Sequence, residues 1–206
     1  MKVLLVEDQH LLREGLKMVL EADREIRVVA QAGSAQQALE SSSDCDAVVM
    51  DLSLPDMDGL ECIVRLRASG YRQPILVVTM HSAGAIVRRA LNVGANGYVL
   101  KSAEPTELRR ALRAVHSGQS YVQECLQDTL TSAPEPAAPM LTGHELNLLR
   151  WAGRGQPLEE CSVSLGLSLA TARSLLRSLC RKLQAEDLTQ GVVRARELGL
   201  LLPDRH

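Results

Sequence analysis

Five polar residues in the first half of the sequence stand where a short apolar run ends. They are Glu7 and Asp8 after KVLLV, Asp51 after AVVM, Thr79 at the end of ILVVT, and Lys101 after GYVL. A carboxylate in such a position is either a helix cap or part of a site. Carboxylates that lie close together repel each other, which raises their pKa values unless a cation compensates. Because Mg²⁺ prefers one or two carboxylates, a backbone carbonyl and several waters, the three acids indicate a magnesium site.

The lysine in this set indicates that an anion also binds beside the acids. Carboxylates, Mg²⁺ and a lysine together suit phosphoryl transfer, in which catalysis consists mostly of positioning and of neutralising spread charge. A carboxylate can itself be the nucleophile of that reaction and form an aspartyl phosphate.

The apolar runs that carry these residues alternate with segments in which apolar residues recur at helical spacing. The runs are KVLLV (2–6), IRVVA (26–30), AVVM (47–50), ILVVT (75–79) and GYVL (97–100). Continuous apolar strands alternating with helices indicate a parallel sheet covered on both faces. We therefore predict a doubly wound α/β domain with five strands, whose last helix covers 105–117. The carboxyl ends of parallel strands meet at one edge, where ligands bind, so the five polar residues gather there.

Residues 1–118 resemble the receiver domain of bacterial two-component response regulators. The resemblance is carried by the motifs LLVEDQ, VVMDLSLPDMDGLE, ILVVTMH and GANGYVLKS, in that order. It implies a flavodoxin-like fold in which Asp51 accepts phosphate from a histidine kinase. It also implies that Glu7, Asp8, Asp51 and the backbone carbonyl of Ser53 hold Mg²⁺.

The same resemblance implies roles for three further residues. Lys101 pairs with the phosphoryl oxygens, and Thr79 donates its hydroxyl to the phosphoryl group. Tyr98, three residues before the lysine, rotates inward as Thr79 moves. The resemblance further implies that the protein phosphorylates and dephosphorylates itself, which does not make it a turnover enzyme, and we expect no enzyme activity beyond these reactions.

A linker separates this domain from a second pattern. Residues 128–140, DTLTSAPEPAAPM, contain three prolines and small residues without helical or strand period, which indicates a semi-extended linker. The preceding SYVQECLQDTL is a candidate further helix. We divide the chain into a domain at 1–118, a partly helical linker at 119–140, and a small all-α domain at 141–206. In the last, Thr142, Ser168 and Thr189 are predicted helix caps, and Pro157 opens a helix.

Within the second domain, a short helix, a turn that contains Gly166 and a longer helix capped by Ser168 form a helix-turn-helix pattern. The second helix is predicted to begin near Leu169 and to place its N-terminal residues in the major groove of DNA. Its apolar residues face the core, whereas its polar residues lie on another side and can reach bases or phosphates. The predicted DNA-binding residues are Ser168, Thr171, Arg173, Ser174, Arg177 and Lys182.

Residues 141–183 are similar, without gaps, to the DNA-binding domain of the LuxR/NarL/FixJ class, and residues 189–201 match its last helix, through which members of the class dimerise. The resemblance implies promoter DNA as a partner and a homodimer on that DNA. The chain departs from the class pattern at His144, at Cys161-Ser162, at Ala172 and at Leu175, where a histidine is usual. We expect DNA binding that is weaker or of different specificity than in typical members.

Composition supports this division. The net charge of the 206 residues is −2, which predicts no general affinity for polyanions or membranes. Residues 141–206 carry nine Lys and Arg against seven Asp and Glu, which leaves −4 for residues 1–140. An acidic part followed by a basic part fits a regulatory module joined to a nucleic-acid-binding module.

No apolar run approaches the ~20 residues of a membrane helix, and the N-terminus is not predicted to be a signal peptide. The five cysteines, without a Cys-x-x-Cys pair, are predicted to be reduced core residues of a cytoplasmic protein.

The sequence thus predicts a phosphorylation-gated, DNA-binding transcription regulator. An alternative of another class is a protein-interaction adaptor or phosphate sink, in which the altered helix-turn-helix no longer binds DNA. A phosphatase of similar sheet topology is disfavoured, because no second acid is placed beside Asp51 as a general acid and no segment is long enough to enclose a substrate.

Overall fold

The chain forms two compact units, Met1–Ser132 and Ala133–His206. In the computed structural model, the described residues are 1–42, 44–131, 139, 141–153 and 155–201. Each unit has its own hydrophobic core, and each is described separately below. Relative to a boundary at residue 118, the first unit also takes in a short strand and a helix. Among the described residues, no helix has the length and apolar character that crossing a bilayer requires.

The first unit is built on a parallel sheet with the strand order β2-β1-β3-β4-β5-β6. The strands are β1 (Lys2–Val6), β2 (Arg27–Ala32), β3 (Ala47–Met50), β4 (Ile75–Thr79), β5 (Gly97–Leu100) and β6 (Tyr121–Val122). The helices are α1 (His10–Glu21), α2 (Ala35–Ser41), α3 (Gly59–Ala68), α4 (Gly84–Asn92), α5 (Pro105–His116) and α6 (Glu124–Thr131). Strands β1, β3 and β4 are buried almost throughout, as continuous apolar runs require in a sheet with covered faces.

The doubly wound parallel sheet is confirmed, but the predicted number of five strands is wrong, because β6 adds a sixth. This strand has two residues, which pair with Gly97 and Tyr98 of β5, and a strand that short leaves no periodicity in the sequence. The predicted helix of SYVQECLQDTL accordingly begins only at Glu124. Residues 128–131, predicted as linker, continue this helix, and most of the remaining linker (132–138 and 140) lies outside the described residues.

The segment after α5 is fixed to the sheet by Gln123. Its backbone N–H donates to the carbonyl of Tyr98 (3.1 Å), and its side-chain oxygen accepts from the N–H of Leu100 (2.8 Å). Its side-chain amide also donates to Glu107 of α5 (3.2 Å). Gln123 thus satisfies backbone groups of β5, and the helix that follows it, α6, packs against α4.

The described residues of the second unit form four helices, and the predicted all-helical character is confirmed. They are α7 (Gly143–Gly153), α8 (Leu158–Ser164), α9 (Leu169–Leu183) and α10 (Leu188–Glu197). Thr142 and Ser168 accept cap hydrogen bonds from Glu145 and Thr171. The predicted cap Thr189 is wrong, because Asp187 accepts from the N–H of Gln190 and α10 begins at Leu188. An aspartate carboxylate accepts this bond as well as a threonine hydroxyl does.

The five cysteines differ in their surroundings. Cys45, Cys62 and Cys161 are buried and all five are free thiols, as expected for core residues. Burial raises the pKa of the Cys62 thiol to about 12, which keeps it protonated and unreactive. Cys180 is half-buried, and Cys125 on α6 is exposed, so the prediction of a core position is wrong for Cys125.

Candidate functional site

An acidic pocket lies at the carboxyl ends of β1, β3 and β5. The ammonium of Lys101 contacts Glu7 Oε2 at 2.6 Å and Asp51 Oδ2 at 3.0 Å. Asp51 is 2% exposed and Glu7 is fully buried. Together with Asp8, each of these acids offers a carboxylate oxygen within 4.8 Å of the others. The pocket therefore combines two buried carboxylates and one half-buried carboxylate with one cation.

Electrostatics in the pocket favour binding of a further cation. Burial raises the pKa of Glu7, the charge of Asp51 raises it further, and the hydrogen bond from Lys101 opposes this effect. One ammonium does not balance three carboxylates, and closely placed oxygen ligands are what Mg²⁺ prefers. The donor set of Glu7, Asp8 and Asp51 therefore fits Mg²⁺.

The loop after β3 explains why Asp51 is the site residue among three nearby acids. Asp56 accepts hydrogen bonds from the N–H groups of Ala35 and Gln36, both at 2.9 Å, at the start of α2. Asp58 accepts from the N–H of Leu60 at the start of α3. These two carboxylates cap helices, whereas Asp51 points to Lys101.

The side chains of the remaining pocket residues lie on the neighbouring strands. Thr79 is fully buried at the end of β4, and its carbonyl accepts from the N–H of Lys101 at 2.9 Å. Tyr98 is fully buried as well, and its hydroxyl donates to the carbonyl of His81 at 2.8 Å. Burial raises the pKa of Tyr98, and the charge of Asp51 adds to this, so the phenol stays protonated as a donor. The ring already occupies the inward position in this structure.

His81 is a pocket residue that sequence reasoning missed. A hydrogen bond of 2.9 Å joins its Nε2 to Oγ of Ser53. Its backbone N–H also lies 3.5 Å from Oγ1 of Thr79. His81 follows Thr79 by two residues, and Ser53 follows Asp51 by two residues. This equal spacing from two neighbouring strand ends is the sequence signal that would have placed His81 and Ser53 on adjacent loops.

In the second unit, the helix-turn-helix pattern is formed by α8 and α9. The predicted contact residues Ser168, Thr171, Arg173, Ser174 and Arg177 are exposed. On another side of α9, Leu179 and Leu183 belong to the core, and Leu175 and Leu176 pack against it. The helix thus presents a face with two arginines four residues apart and small polar side chains.

Lys182 has a different environment from the two arginines. Its ammonium contacts Glu145 Oε2 at 2.7 Å. Glu145 is buried on α7 and also accepts from Ser178 Oγ at 2.8 Å and from the N–H and hydroxyl of Thr142. Lys182 therefore fixes α9 to α7, which the sequence alone did not indicate.

The positions that depart from the class pattern also have definite places. Cys161 and Ser162 are both buried on α8, and the Ser162 hydroxyl donates to the carbonyl of Glu159 at 2.7 Å. His144 is exposed, and Leu175 is half-buried and packs against the core. Leu175 thus adds to the core of the unit where a histidine would have offered a polar side chain.

Comparison with known proteins agrees with this geometry. The family model described as the response regulator receiver domain matches residues 3–113. The chain is 31% identical over 193 residues to the nitrate/nitrite response regulator protein NarP of Escherichia coli (strain K12), covering 90% of each chain. It is 33% identical over 189 residues to the response regulator UvrY of the same strain, covering 88% of this chain and 87% of UvrY.

Solved structures extend the similarity over both units. The response regulator RcsB in complex with DNA matches with a TM-score of 0.63 and 25% identity, covering 96% of this chain and 98% of RcsB. A LuxR-family response regulator from Aurantimonas sp. SI85-9A1 matches with a TM-score of 0.60 and 34% identity, covering 63% of this chain and 94% of that one. The chain belongs to the two-component response regulators of the NarL/FixJ class, which carry a LuxR-type helix-turn-helix.

Proposed function

We propose that this protein accepts a phosphoryl group on Asp51 from a histidine kinase and thereby controls transcription by binding promoter DNA in the cytoplasm. The observation that carries the proposal is the contact of Lys101 with Asp51 beside two further carboxylates, those of buried Glu7 and half-buried Asp8. In the transfer, an oxygen of Asp51 attacks phosphorus, the bond from phosphorus to the histidine nitrogen breaks, and the nitrogen leaves with the electron pair.

The pocket residues divide the work of this step. Glu7, Asp8, Asp51 and the carbonyl of Ser53 would hold Mg²⁺, which neutralises charge on the phosphoryl oxygens when it is bound. Lys101 pairs with Asp51 in this structure. After the transfer, its ammonium would pair with a phosphoryl oxygen instead.

Thr79 and Tyr98 would couple phosphorylation of Asp51 to a change in conformation. The hydroxyl of Thr79 would donate to the phosphoryl group, and the inward Tyr98 would hold the loop after β4 through His81. Phosphorylation would act by stabilising this arrangement over others, since a ligand shifts a conformational equilibrium only through differential affinity.

We assign phosphoacceptor function to residues 1–118, DNA binding to residues 141–206, and a connecting role to residues 119–140. Ser168, Thr171, Arg173, Ser174 and Arg177 would contact DNA. Lys182 would add positive charge near the backbone while it positions α9, and α10 would pair two copies on DNA.

The first test is labelling of Asp51. With Mg²⁺ and a small phosphodonor such as acetyl phosphate, the wild-type protein should form an acid-stable, base-labile acyl phosphate. Asp51→Asn should form none, because an amide nitrogen is not a nucleophile for this reaction. Asp56→Asn serves as a matched control, since that carboxylate caps α2. Labelling that survives in Asp51→Asn would refute the assignment.

DNA binding has a competing proposal, the adaptor or phosphate sink, which is favoured by Leu175 packing on the core and by Lys182 pairing with Glu145. Mobility shifts with promoter fragments at several salt concentrations separate the two. Arg173→Ala and Arg177→Ala should each weaken binding by ~1–3 kcal/mol if they reach bases. Wild-type protein that ignores duplexes at low salt, before and after phosphorylation, would favour the adaptor.

A further inference from the structure

After α5, the chain returns to β5 as a short arm formed by residues 121–131. Strand β6 of this arm pairs with Gly97 and Tyr98, and α6 then packs against α4. Leu126 anchors the helix, since it is only 2% exposed between exposed neighbours. A strand of two residues is shorter than strands usually are, so its ladder hydrogen bonds are few. The attachment of the arm to the sheet therefore depends on the residue that follows β6.

That residue, Gln123, makes three hydrogen bonds across the edge of the sheet. Its backbone N–H donates to the carbonyl of Tyr98 (3.1 Å), and its side-chain oxygen accepts from the N–H of Leu100 (2.8 Å). Its side-chain amide donates to Oε2 of Glu107 on α5 (3.2 Å). The position requires an acceptor toward β5 and a donor toward α5, and a carboxamide supplies both.

The part of β5 that Gln123 binds leads directly into the acid pocket. Tyr98 is fully buried with its ring inward. Leu100 precedes Lys101, whose ammonium contacts Asp51 at 3.0 Å. A displacement of β5 at either end of this segment would therefore change the hydrogen bonds of Gln123 and the position of the lysine together.

We propose that Gln123 is a positioning residue that couples the segment from Tyr98 to Lys101 to the arm, so that phosphorylation of Asp51 holds residues 121–131 more firmly on the sheet. The inference rests on the phosphorylation of Asp51 proposed above. Its direction follows from this structure, in which the inward ring of Tyr98 and the attached arm occur together. Because the arm ends where the first unit ends, the coupling fixes the point at which the connection to the second unit begins.

The expected effect follows from the strength of one hydrogen bond, which shifts an equilibrium by about two- to tenfold. In the full-length wild-type protein, phosphorylation by acetyl phosphate should slow amide hydrogen exchange in residues 121–131 by about that factor. Gln123→Ala should speed this exchange before phosphorylation and abolish the response to it, while Asp51 still takes the label. Because coupling between two sites is reciprocal, Gln123→Ala should also weaken binding of beryllium fluoride, a phosphoryl analogue, by a similar factor.

A charge exchange between two residues tests the hydrogen bond itself. Gln123→Glu places a second carboxylate beside Glu107 and should loosen the arm as Gln123→Ala does. Adding Glu107→Gln to Gln123→Glu restores a donor opposite an acceptor and should restore both the slow exchange and the response to phosphorylation. Gln119→Ala, at an exposed position before β6, is the matched control and should change neither. A response of wild-type size in Gln123→Ala would overturn the proposal, and so would a double variant as loose as Gln123→Glu.

The backbone amide of Lys101 gives a readout that needs no phosphoryl group. It donates to the carbonyl of Thr79 at 2.9 Å, so Gln123→Ala leaves its own hydrogen bond in place. If the coupling runs through β5, its exchange should nevertheless rise together with that of the arm. If the wild-type protein takes no label, the proposed function fails, and this measurement alone decides on the coupling. A rise confined to Leu100 and residues 121–131 would overturn it.

Discussion

At the scale of single residues, the charge balance of the acid pocket depends on Lys101. Its ammonium is the cation in direct contact with Glu7 and Asp51, and its side chain is only 7% exposed. Removing one partner of a buried ion pair leaves uncompensated charge, which costs several kcal/mol. Repulsion between the carboxylates therefore destabilises the folded state. The ammonium of Lys101 reduces this repulsion, and a bound metal ion would reduce it further.

Lys101→Ala should destabilise the first unit by ~3 kcal/mol at pH 7, because two buried carboxylates then repel without a cation. The loss should shrink on adding Mg²⁺, which binds the folded state. It should also shrink as the pH falls toward the ordinary glutamate pKa of 4.5, because the raised folded-state pKa of Glu7 favours uptake of a proton. Urea unfolding followed by circular dichroism, with and without Mg²⁺, measures both effects. Lys17→Ala on α1 removes the same charge outside the pocket, and an equal loss in that variant would contradict the argument.

Lys182 shows what residue type and spacing leave undetermined. A lysine near the end of a basic helix is expected to meet DNA, yet this one contacts Glu145, 37 residues away in the chain. By contrast, Asp51 and Lys101 were placed correctly at one edge, because the carboxyl ends of parallel strands must meet whatever the side-chain rotamers are. Contacts that depend on rotamers, such as those of Lys182 and His81, are outside the reach of such reasoning.

At the scale of elements, Glu145 joins the start of α7 to α9. Burial opposes ionisation of this carboxyl, but hydrogen bonds from Lys182, Thr142 and Ser178 lower its pKa to about 2. Its ordinary pKa is 4.5, so the folded state binds the proton less tightly than the unfolded state. The ionised group therefore contributes stability above pH 4.5, and that contribution is lost as the pH falls from there toward 2.

Glu145→Gln should lower the stability of the second unit by ~1–3 kcal/mol at pH 7, because charge-assisted hydrogen bonds are lost. The difference from wild type should decrease between pH 4.5 and pH 2. Fluorescence of Trp151, the one tryptophan in the chain, follows urea unfolding of this unit. Glu160→Gln, on the exposed side of α8, is the control. If the difference in stability were constant across this pH range, the hydrogen bonds to Glu145 would not lower its pKa.

The start of α3 depends on a close approach that glycine alone permits. A Cβ on Gly59 would lie 2.5 Å from the carbonyl oxygen of Asp51 and 2.6 Å from the Cα of Leu52. Gly59→Ala should therefore push α3 away from the acceptor loop, cost ~1–3 kcal/mol, and slow labelling of Asp51. Gly15→Ala is the matched control, since no atom lies within 4 Å of the added Cβ, and it should stabilise α1 by ~1 kcal/mol. Labelling of Gly59→Ala at the wild-type rate would contradict this role.

The bounds of a strand could be predicted where an apolar run of four or five residues marks it, but not where the strand is only two residues long. Strands β1, β3, β4 and β5 match the apolar runs, because continuous burial leaves a continuous apolar sequence. β6 was missed, since two residues carry no period and its attachment depends on the side chain of Gln123 satisfying the edge of β5.

At the scale of the whole molecule, each of the two units has its own hydrophobic packing and can be followed by its own spectroscopic signal. One core combines residues of the sheet with α1 and α5, and the other joins α7 to α10. Trp151 packs against the second core, so its fluorescence reports on residues 133–206, whereas circular dichroism reports on both units. A single unfolding free energy is defined only if the two cores melt in one cooperative step.

We expect the two cores to respond separately to core mutations. Leu76→Ala in β4 and Leu149→Ala in α7 each remove a fully buried side chain and should each cost ~2–5 kcal/mol. Leu149→Ala should lower the urea midpoint seen by Trp151 fluorescence. Leu76→Ala should leave that midpoint unchanged. It should lower the urea midpoint of the circular dichroism transition that comes from the first unit. If Leu76→Ala moved the Trp151 midpoint by as much as Leu149→Ala does, the two units would unfold in one cooperative step and not separately.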